Sequence, residues 1–285
     1  MEFKSFYKTV FGNEGSKCHY PTRLDTYGCG CQHDCSYCYA KSLLSFRALW
    51  HPNEPSVADI EKVRKTIKKI PKGSVVRLGG MTDCFQPCEK ENRVTYETIK
   101  ALNEQGVHYL IVTKSDMVAD DEYMEIMDKD LAHIQITVTM FDDEKYKKLG
   151  YEKAPVPSRR IRAIQKLQNA GFDISLRLSP FVPEFVDYEA LAKVGCDKLL
   201  VEFLRVNSWI RKWFGKYINL ADYTVREGGY WHLPLDRKIE LIDNIYGFPE
   251  ISVCEDESEA YEFWKMFNPN KNDCCNLRIR KEDKK

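Results

Sequence analysis

The sequence predicts an α/β protein built from repeated βα units, on three observations. Between Lys72 and Phe203, short β-branched runs alternate with amphipathic helical segments that end near glycine. The runs are continuous apolar stretches, the pattern of a parallel sheet covered on both faces. No Gly/Ser-rich linker or low-complexity segment interrupts them, so no domain boundary is expected there. Strands are expected at 75–78, 109–113, 134–139, 174–178 and 199–203. Ile60, Val63, Ile67 and Ile70 recur at helical spacing, with Ser56 as the expected N-cap and Asp59 three residues on. Ile161, Ile164 and Leu167 form a second stripe, beginning at Ser158 and closing before Gly171. After Asn207 the rhythm changes to W-I-R-K-W-F-G-K-Y, then a helix near 236–245, a short strand at 251–253 and a helix near 257–266. Residues 1–206 are therefore read as the core and 207–285 as an extension packed on it.

Composition narrows the function. The 285 residues are 43% hydrophobic and 30% charged, which is ordinary for a globular chain. Lys plus Arg equals Asp plus Glu at 43 each, so no overall field draws the chain to nucleic acid or membrane, and a polyanion site would be a local patch. No stretch approaches the roughly 20 apolar residues that span a bilayer. The opening M-E-F-K-S-F-Y-K has no signal-peptide pattern, so a cytoplasmic protein is expected.

The informative count is 11 cysteines, four of them within ten residues. In a reducing compartment such clusters are metal ligands or catalysts more often than disulfides. Cys31, Cys35 and Cys38 have the spacing C-x₃-C-x₂-C, and Gly28 and Gly30 beside them permit unusual backbone conformations. A tetrahedral zinc site would need a fourth ligand, for which Cys29 or His33 stand uncomfortably close. Three thiolates also suit a 4Fe–4S cluster with one iron left open to a ligand.

That spacing, with an aromatic (Tyr37) before the last cysteine, resembles the signature of the radical S-adenosylmethionine (SAM) superfamily. More narrowly, G-C-Q-H-D-C-S-Y-C-Y-A, G-G-M-T-D-C-F-Q-P-C-E, L-I-V-T-K-S, T-V-T-M-F-D-D, A-P-V-P-S-R-R and L-R-L-S-P-F-V-P resemble the spore photoproduct lyase-like branch, over about residues 25–205. The resemblance implies a partial (β/α)₆ barrel of TIM type, a 4Fe–4S cluster held by Cys31, Cys35 and Cys38, and reductive cleavage of SAM to methionine and a 5′-deoxyadenosyl radical. A reductant such as flavodoxin or ferredoxin is implied as partner. It also implies that Gly79 and Gly80 receive the amino group of SAM, with Thr82 and Asp83 beside them. Lys114 and Ser115 stand where the family binds the methionine carboxylate or ribose.

Barrel chemistry gathers at the C-terminal ends of strands, where these residues fall. Thr137 and Thr139 alternate on one strand and suit ribose hydroxyls, or are ordinary β-branched strand residues. Arg177 suits a carboxylate, or pairs within the barrel interior.

Lyases of that branch carry a cysteine just before a T-S-D segment, where this chain has Gly80. The nearest thiol, Cys84, is a candidate hydrogen donor that has moved by four residues. Cys84 and Cys88 repeat the C-x₃-C spacing and, with Cys254, Cys274 and Cys275, are candidate ligands of a second iron–sulfur cluster; the other reading is buried thiols. Cys18, Cys29 and Cys196 read as unliganded.

Two patches are candidates for a polyanion. One is the basic helix from Lys62 to Lys72. The other is 205–217, where Arg211, Lys212 and Lys216 interleave with Trp209, Trp213, Phe214 and Tyr217. A nucleic-acid base or nucleotide is the expected substrate. A peptide or small metabolite, or a non-catalytic iron–sulfur or zinc protein, are the alternatives.

Overall fold

The computed structural model describes residues 3–8 and 17–279. Eight strands form one sheet in sequence order: β1 (Phe6–Lys8), β2 (Thr22–Leu24), β3 (Val75–Leu78), β4 (His108–Thr113), β5 (Ala132–Thr137), β6 (Asp173–Phe181), β7 (Lys198–Phe203) and β8 (Glu250–Val253). Only β1 is antiparallel; from β2 to β8 every neighbour pair is parallel. Strands β2 to β7 with their helices make a partial (β/α)₆ barrel of TIM type, and β8 from the C-terminal segment extends it. The strand before the cysteine motif, β2, is too short for periodicity to reveal.

The outer face is apolar. Tyr109, Ile111, Ile134, Ile136, Ile174, Leu176, Leu199 and Val201 are all buried in the main core cluster. The residues between them point into the lumen, where Gln135 and Ser175 are polar and Leu110 and Leu200 form a small apolar cluster of their own. The stretch I-Q-I-T in β5 was read as part of a continuous apolar run, but it alternates: Ile134 and Ile136 pack outward, Gln135 and Thr137 inward. Period two survives because the lumen is a hydrogen-bonded interior rather than a hydrocarbon one.

Its floor is an ionic layer. His133 Nδ1 lies 2.7 Å from Asp173 Oδ2 and its Nε2 lies 3.1 Å from His108 Nδ1, while Lys198 Nζ donates to Asp173 Oδ1 at 2.6 Å. Lys198 also donates to Asn276 O, fastening the C-terminal segment beneath the barrel. Burial alone would raise the Asp173 carboxyl, but the His133 hydrogen bond and the Lys198 charge outweigh it and hold it well below the carboxylate range. A depressed folded-state value means that this stabilisation is complete above the unfolded value of about 3.9 and is lost as pH falls below it. Asp173→Asn, which leaves Lys198 buried without a counter-charge, is expected to cost about 3–5 kcal/mol in urea denaturation at neutral pH. It should also flatten the acid limb of the stability profile. A loss under about 1 kcal/mol would show that the layer carries little stability.

Two helix starts differ from the expected ones. Asp59, not Ser56, caps helix Ile60–Ile67, its carboxylate accepting from Glu61 N and Lys62 N, while Ser56 pairs in a short ribbon with Gly28. Helix Pro157–Asn169 starts one residue before Ser158, with proline in its first turn, where no N–H is needed. No helix among the described residues is long and apolar enough to cross a membrane.

Candidate functional site

At the C-terminal ends of the strands the barrel opens into a cavity of about 1030 Å³. Cys31, Cys35 and Cys38 line it, with Tyr37, Gly79, Gly80, Thr82, Asp83, Lys114, Thr137 and Arg177. The cysteine loop is shaped by two non-glycine residues with positive φ, Cys29 (54°) and Asp34 (42°). Gly28 and Gly30 contribute space instead of φ: a Cβ on Gly30 would sit 2.1 Å from His51 O. Asp34 is anchored by Lys41 Nζ at 2.8 Å and Trp50 Nε1 at 3.2 Å. Gln32 and Gln86 lock the loop to the D-C-F-Q-P-C-E segment, since Gln86 Oε1 accepts from Gln32 N and Gln32 Oε1 accepts from Cys88 N.

Across the loop runs a strap, residues 151–153. Ser36 N donates to Tyr151 O and Lys153 N to His33 O. The strap delivers Glu152, which the sequence reading did not single out. Its carboxylate accepts from the Tyr37 hydroxyl, from Arg160 at 2.6 Å and from the Cys35 thiol at 3.3 Å, with Lys114 Nζ 3.6 Å away. Burial would raise this carboxyl; the charges of Lys114 and Arg160 override that and hold it far below its usual range. Lys114 makes no hydrogen bond among the described residues, although it sits over the Tyr37 ring. Its ammonium pairs with Glu152 at 3.6 Å but spends no hydrogen bond there, so its N–H donors can still meet an anion in the cavity.

Asp83 orders the strand ends. It accepts from Thr113 Oγ1 and Phe85 N through one oxygen and from Lys114 N through the other, with His33 Nε2 at 3.2 Å. Burial pushes its carboxyl up, but His33 and these donors leave it lowered. Thr82 donates to Tyr27 O. Gly79 has φ +80°, and a Cβ there would lie 2.7 Å from Val112 O. A Cβ on Gly80 would meet the Tyr7 hydroxyl at 2.3 Å. Both glycines therefore let strands approach closely while their backbone forms the cavity wall.

A model of the radical SAM superfamily matches residues 26–199, more than half of the sequence. The chain belongs to the radical SAM superfamily. Membership brings with it a 4Fe–4S cluster and SAM. Relatives include uncharacterised proteins of Methanocaldococcus jannaschii (28% identity over 179 residues, 61% of this chain and 65% of that one) and of Acidianus two-tailed virus (25% over 206 residues, 62% and 65%). The matches thus span just under two thirds of those relatives' length. Among solved structures, a spore photoproduct lyase variant with dinucleoside spore photoproduct has the same fold, with TM-score 0.61 and 15% identity over 88% of this chain and 79% of that one. Another variant with bound AdoMet and the same dinucleoside has TM-score 0.59 and 15% identity over 83% and 77%.

The residues present fit the radical SAM cofactors. Three soft thiols line one cavity wall, and a buried ammonium without a hydrogen bond faces the same space. Burial pushes the thiols of Cys31, Cys35 and Cys38 up, so a metal's positive charge is what would draw them into the thiolate form.

Four expected site residues stand differently. Cys84 is 1% exposed and lies outside the cavity, because the Asp83 turn drives it below the wall, where its carbonyl accepts from Thr95 Oγ1. It cannot present a thiol to substrate as the expected hydrogen donor. Ser115 turns away, its Oγ accepting from Met117 N beside a separate depression. Arg177 lines the cavity but is already engaged by Glu202 and Gln135. Thr139 follows the end of β5 and bonds the Tyr151 hydroxyl.

Proposed function

We propose that this radical SAM protein is an enzyme that cleaves SAM and abstracts hydrogen from a nucleic-acid base or nucleotide. One observation carries the reading: the C-x₃-C-x₂-C thiols, the Gly79–Gly80 backbone and the Lys114 ammonium share a single deep cavity. When bound, the cluster supplies the electron that splits SAM into methionine and a 5′-deoxyadenosyl radical. Cys31, Cys35 and Cys38 would hold it. The backbone at Gly79 and Gly80 would receive the SAM amino group, Lys114 the carboxylate, and Thr137 a ribose hydroxyl. Arg177, Tyr37, Thr82 and Asp83 are positioning residues in this scheme, each acting through a neighbour it bonds or packs on. A cavity mouth recessed in the barrel keeps adventitious hydrogen donors away from the reacting carbon. The electron comes from a donor such as flavodoxin or ferredoxin, and the reducing cytoplasm suits a chain whose eleven cysteines are all free.

Support for the base or nucleotide comes from the cavity rim. Tyr39, Trp50 and Arg205 line it. In helix Ser208–Phe214, the Trp209 and Trp213 rings lie 5.3 Å apart, tilted by 43°, with Lys41 over Trp213. Phe214 is buried and Tyr217 is tied to Leu149 O, so half of the expected aromatic set is core. Aromatic planes beside cations suit unstacked bases. Of the basic stretch from Lys62 to Lys72, Arg64 is paired with Glu61 and Glu97, Lys68, Lys69 and Lys72 follow the helix end that leads into β3, and none of its residues lines the cavity, so it has no part in this reading.

Anaerobic protein reconstituted with iron and sulfide, reduced with dithionite and given SAM, should form 5′-deoxyadenosine. Its absence from iron-replete protein would overturn the enzymatic reading. Faster turnover with oligonucleotides or nucleotides supports the substrate class, and stimulation by peptides alone would reject it. Lys114→Ala should weaken SAM binding by about 10- to 150-fold, the loss of one charge-assisted hydrogen bond of about 1.5–3 kcal/mol. Equilibrium dialysis measures it, and unchanged affinity would remove Lys114 from the site.

A further inference from the structure

Four cysteines outside the radical SAM motif line a second pocket inside the sheet's curve. Cys18 comes from the segment before β2, Cys254 from the end of β8, and Cys274 and Cys275 from the C-terminal turn. The Cys274 thiol is hydrogen-bonded to those of Cys254 and Cys275, and Cys18 lies close enough to Cys254 for their charges to interact. All four are free thiols.

The surroundings hold them in place. Asp273 accepts from Cys275 N and Leu277 N and from the Tyr20 hydroxyl, which clamps the C-terminal turn against the segment carrying Cys18. Cys254 N donates to Val201 O, and Asn268 bonds both N–H and C=O of Val253. Three stretches far apart in sequence are thus braced around one space.

Two further features give the class of ligand. Arg77, Arg177, Lys17 and Lys271 line the space together with Glu202, Glu255, Asp256 and Asp273, and Arg177 is paired with Glu202, so the wall is a mixed ionic one that is not hydrocarbon. Spacing then separates iron–sulfur from zinc. Sulfurs around one zinc ion, at about 2.3 Å from it, sit about 3.8 Å apart. Among the described residues only His232, Glu255 and Asp256 bring three ligand atoms within 4.8 Å of one another. That trio is neutralised by Lys238 and Arg205, so it is no metal site. No three of Cys18, Cys254, Cys274 and Cys275 meet that limit together, nor do Cys31, Cys35 and Cys38, although the Cys274 thiol touches those of Cys254 and Cys275. A polynuclear cluster accepts such spread and lets adjacent cysteines bind different irons.

We propose that Cys18, Cys254, Cys274 and Cys275 hold a second, four-iron iron–sulfur cluster. Cys84 and Cys88, the expected partners, do not line this space; Cys18, read as unliganded, takes their place. Arg77, Arg177, Glu202, Phe203 and Arg205 line both cavities, so the second centre lies just behind the wall of the first.

The test uses the full chain, reconstituted anaerobically with iron and sulfide, in three forms: wild type, C31A/C35A/C38A and C254S/C274S. Wild type should hold about eight iron per chain and the first variant about four, with matching sulfide, visible absorption and an electron paramagnetic resonance signal after reduction. The second variant should also hold about four. A colourless C31A/C35A/C38A protein, or one holding zinc without sulfide, overturns the proposal, and that variant decides the matter even if C254S/C274S does not fold. Failure of the first site is distinguishable: wild type and C31A/C35A/C38A would then hold the same four iron.

Discussion

Replacing Cys31, Cys35 or Cys38 singly with alanine is expected to reduce 5′-deoxyadenosine formation by about a thousandfold or more, equal to over about 4 kcal/mol of lost transition-state stabilisation. The three thiols line one wall of a cavity that has no fourth cysteine. Each loss therefore leaves a cubane with two protein ligands, and no neighbouring thiol can substitute. Cys29, the nearest candidate, is held with positive φ two residues before Cys31 and does not line the cavity. Product quantification after anaerobic reduction measures the effect. An alanine variant within about tenfold of wild type would remove that residue from the cluster site. Serine should behave as alanine does, because its hydroxyl is a far poorer iron ligand than a thiolate.

Glu152→Ala is expected to destabilise the fold by about 3–5 kcal/mol, among the largest single-residue effects in the chain. Glu152 and Arg160 are buried almost completely, with side-chain exposures of 0% and 1%. Arg160 further donates to Pro155 O, Thr137 O and the Tyr146 hydroxyl, so it joins the strap, β5 and helix Asp143–Leu149. Removing the carboxylate strands this guanidinium in low dielectric and removes the acceptor of Tyr37. Glu152→Gln keeps the volume but not the charge, so it should recover packing and lose most of the ionic contribution. Urea midpoints of the two variants separate the terms. A loss below about 1 kcal/mol in both would show that the pair is not structural. Because the carboxyl is held low, its contribution is complete above the unfolded glutamate value of about 4.3 and disappears as pH falls below it. Wild type and Glu152→Gln should therefore converge in strong acid.

The cysteine motif, the strand ends and the glycine pair were legible because each depends on residues close in sequence. A three-cysteine spacing states its own chemistry, and a β-branched run followed by a glycine marks a strand end wherever the strand lies. Glu152 was not legible: nothing in L-G-Y-E-K-A-P marks it as a neighbour of the cysteine loop until the strap crosses that loop. Cys84 misled because its distance from the motif is short along the chain, whereas the Asp83 turn buries it on the wrong side of the wall.

The chain's local order thus specifies a radical SAM barrel and sets three cysteines and a glycine pair at one end of its sheet, since spacing and periodicity act over a few residues. Folding over long range settles which polar groups line the lumen, which carboxylate braces Tyr37, Lys114 and Cys35, and which cysteines share the second cavity. Those contacts join segments as much as about 250 residues apart, such as Cys18 and Cys275, and no local pattern encodes a meeting that depends on every intervening strand taking its place.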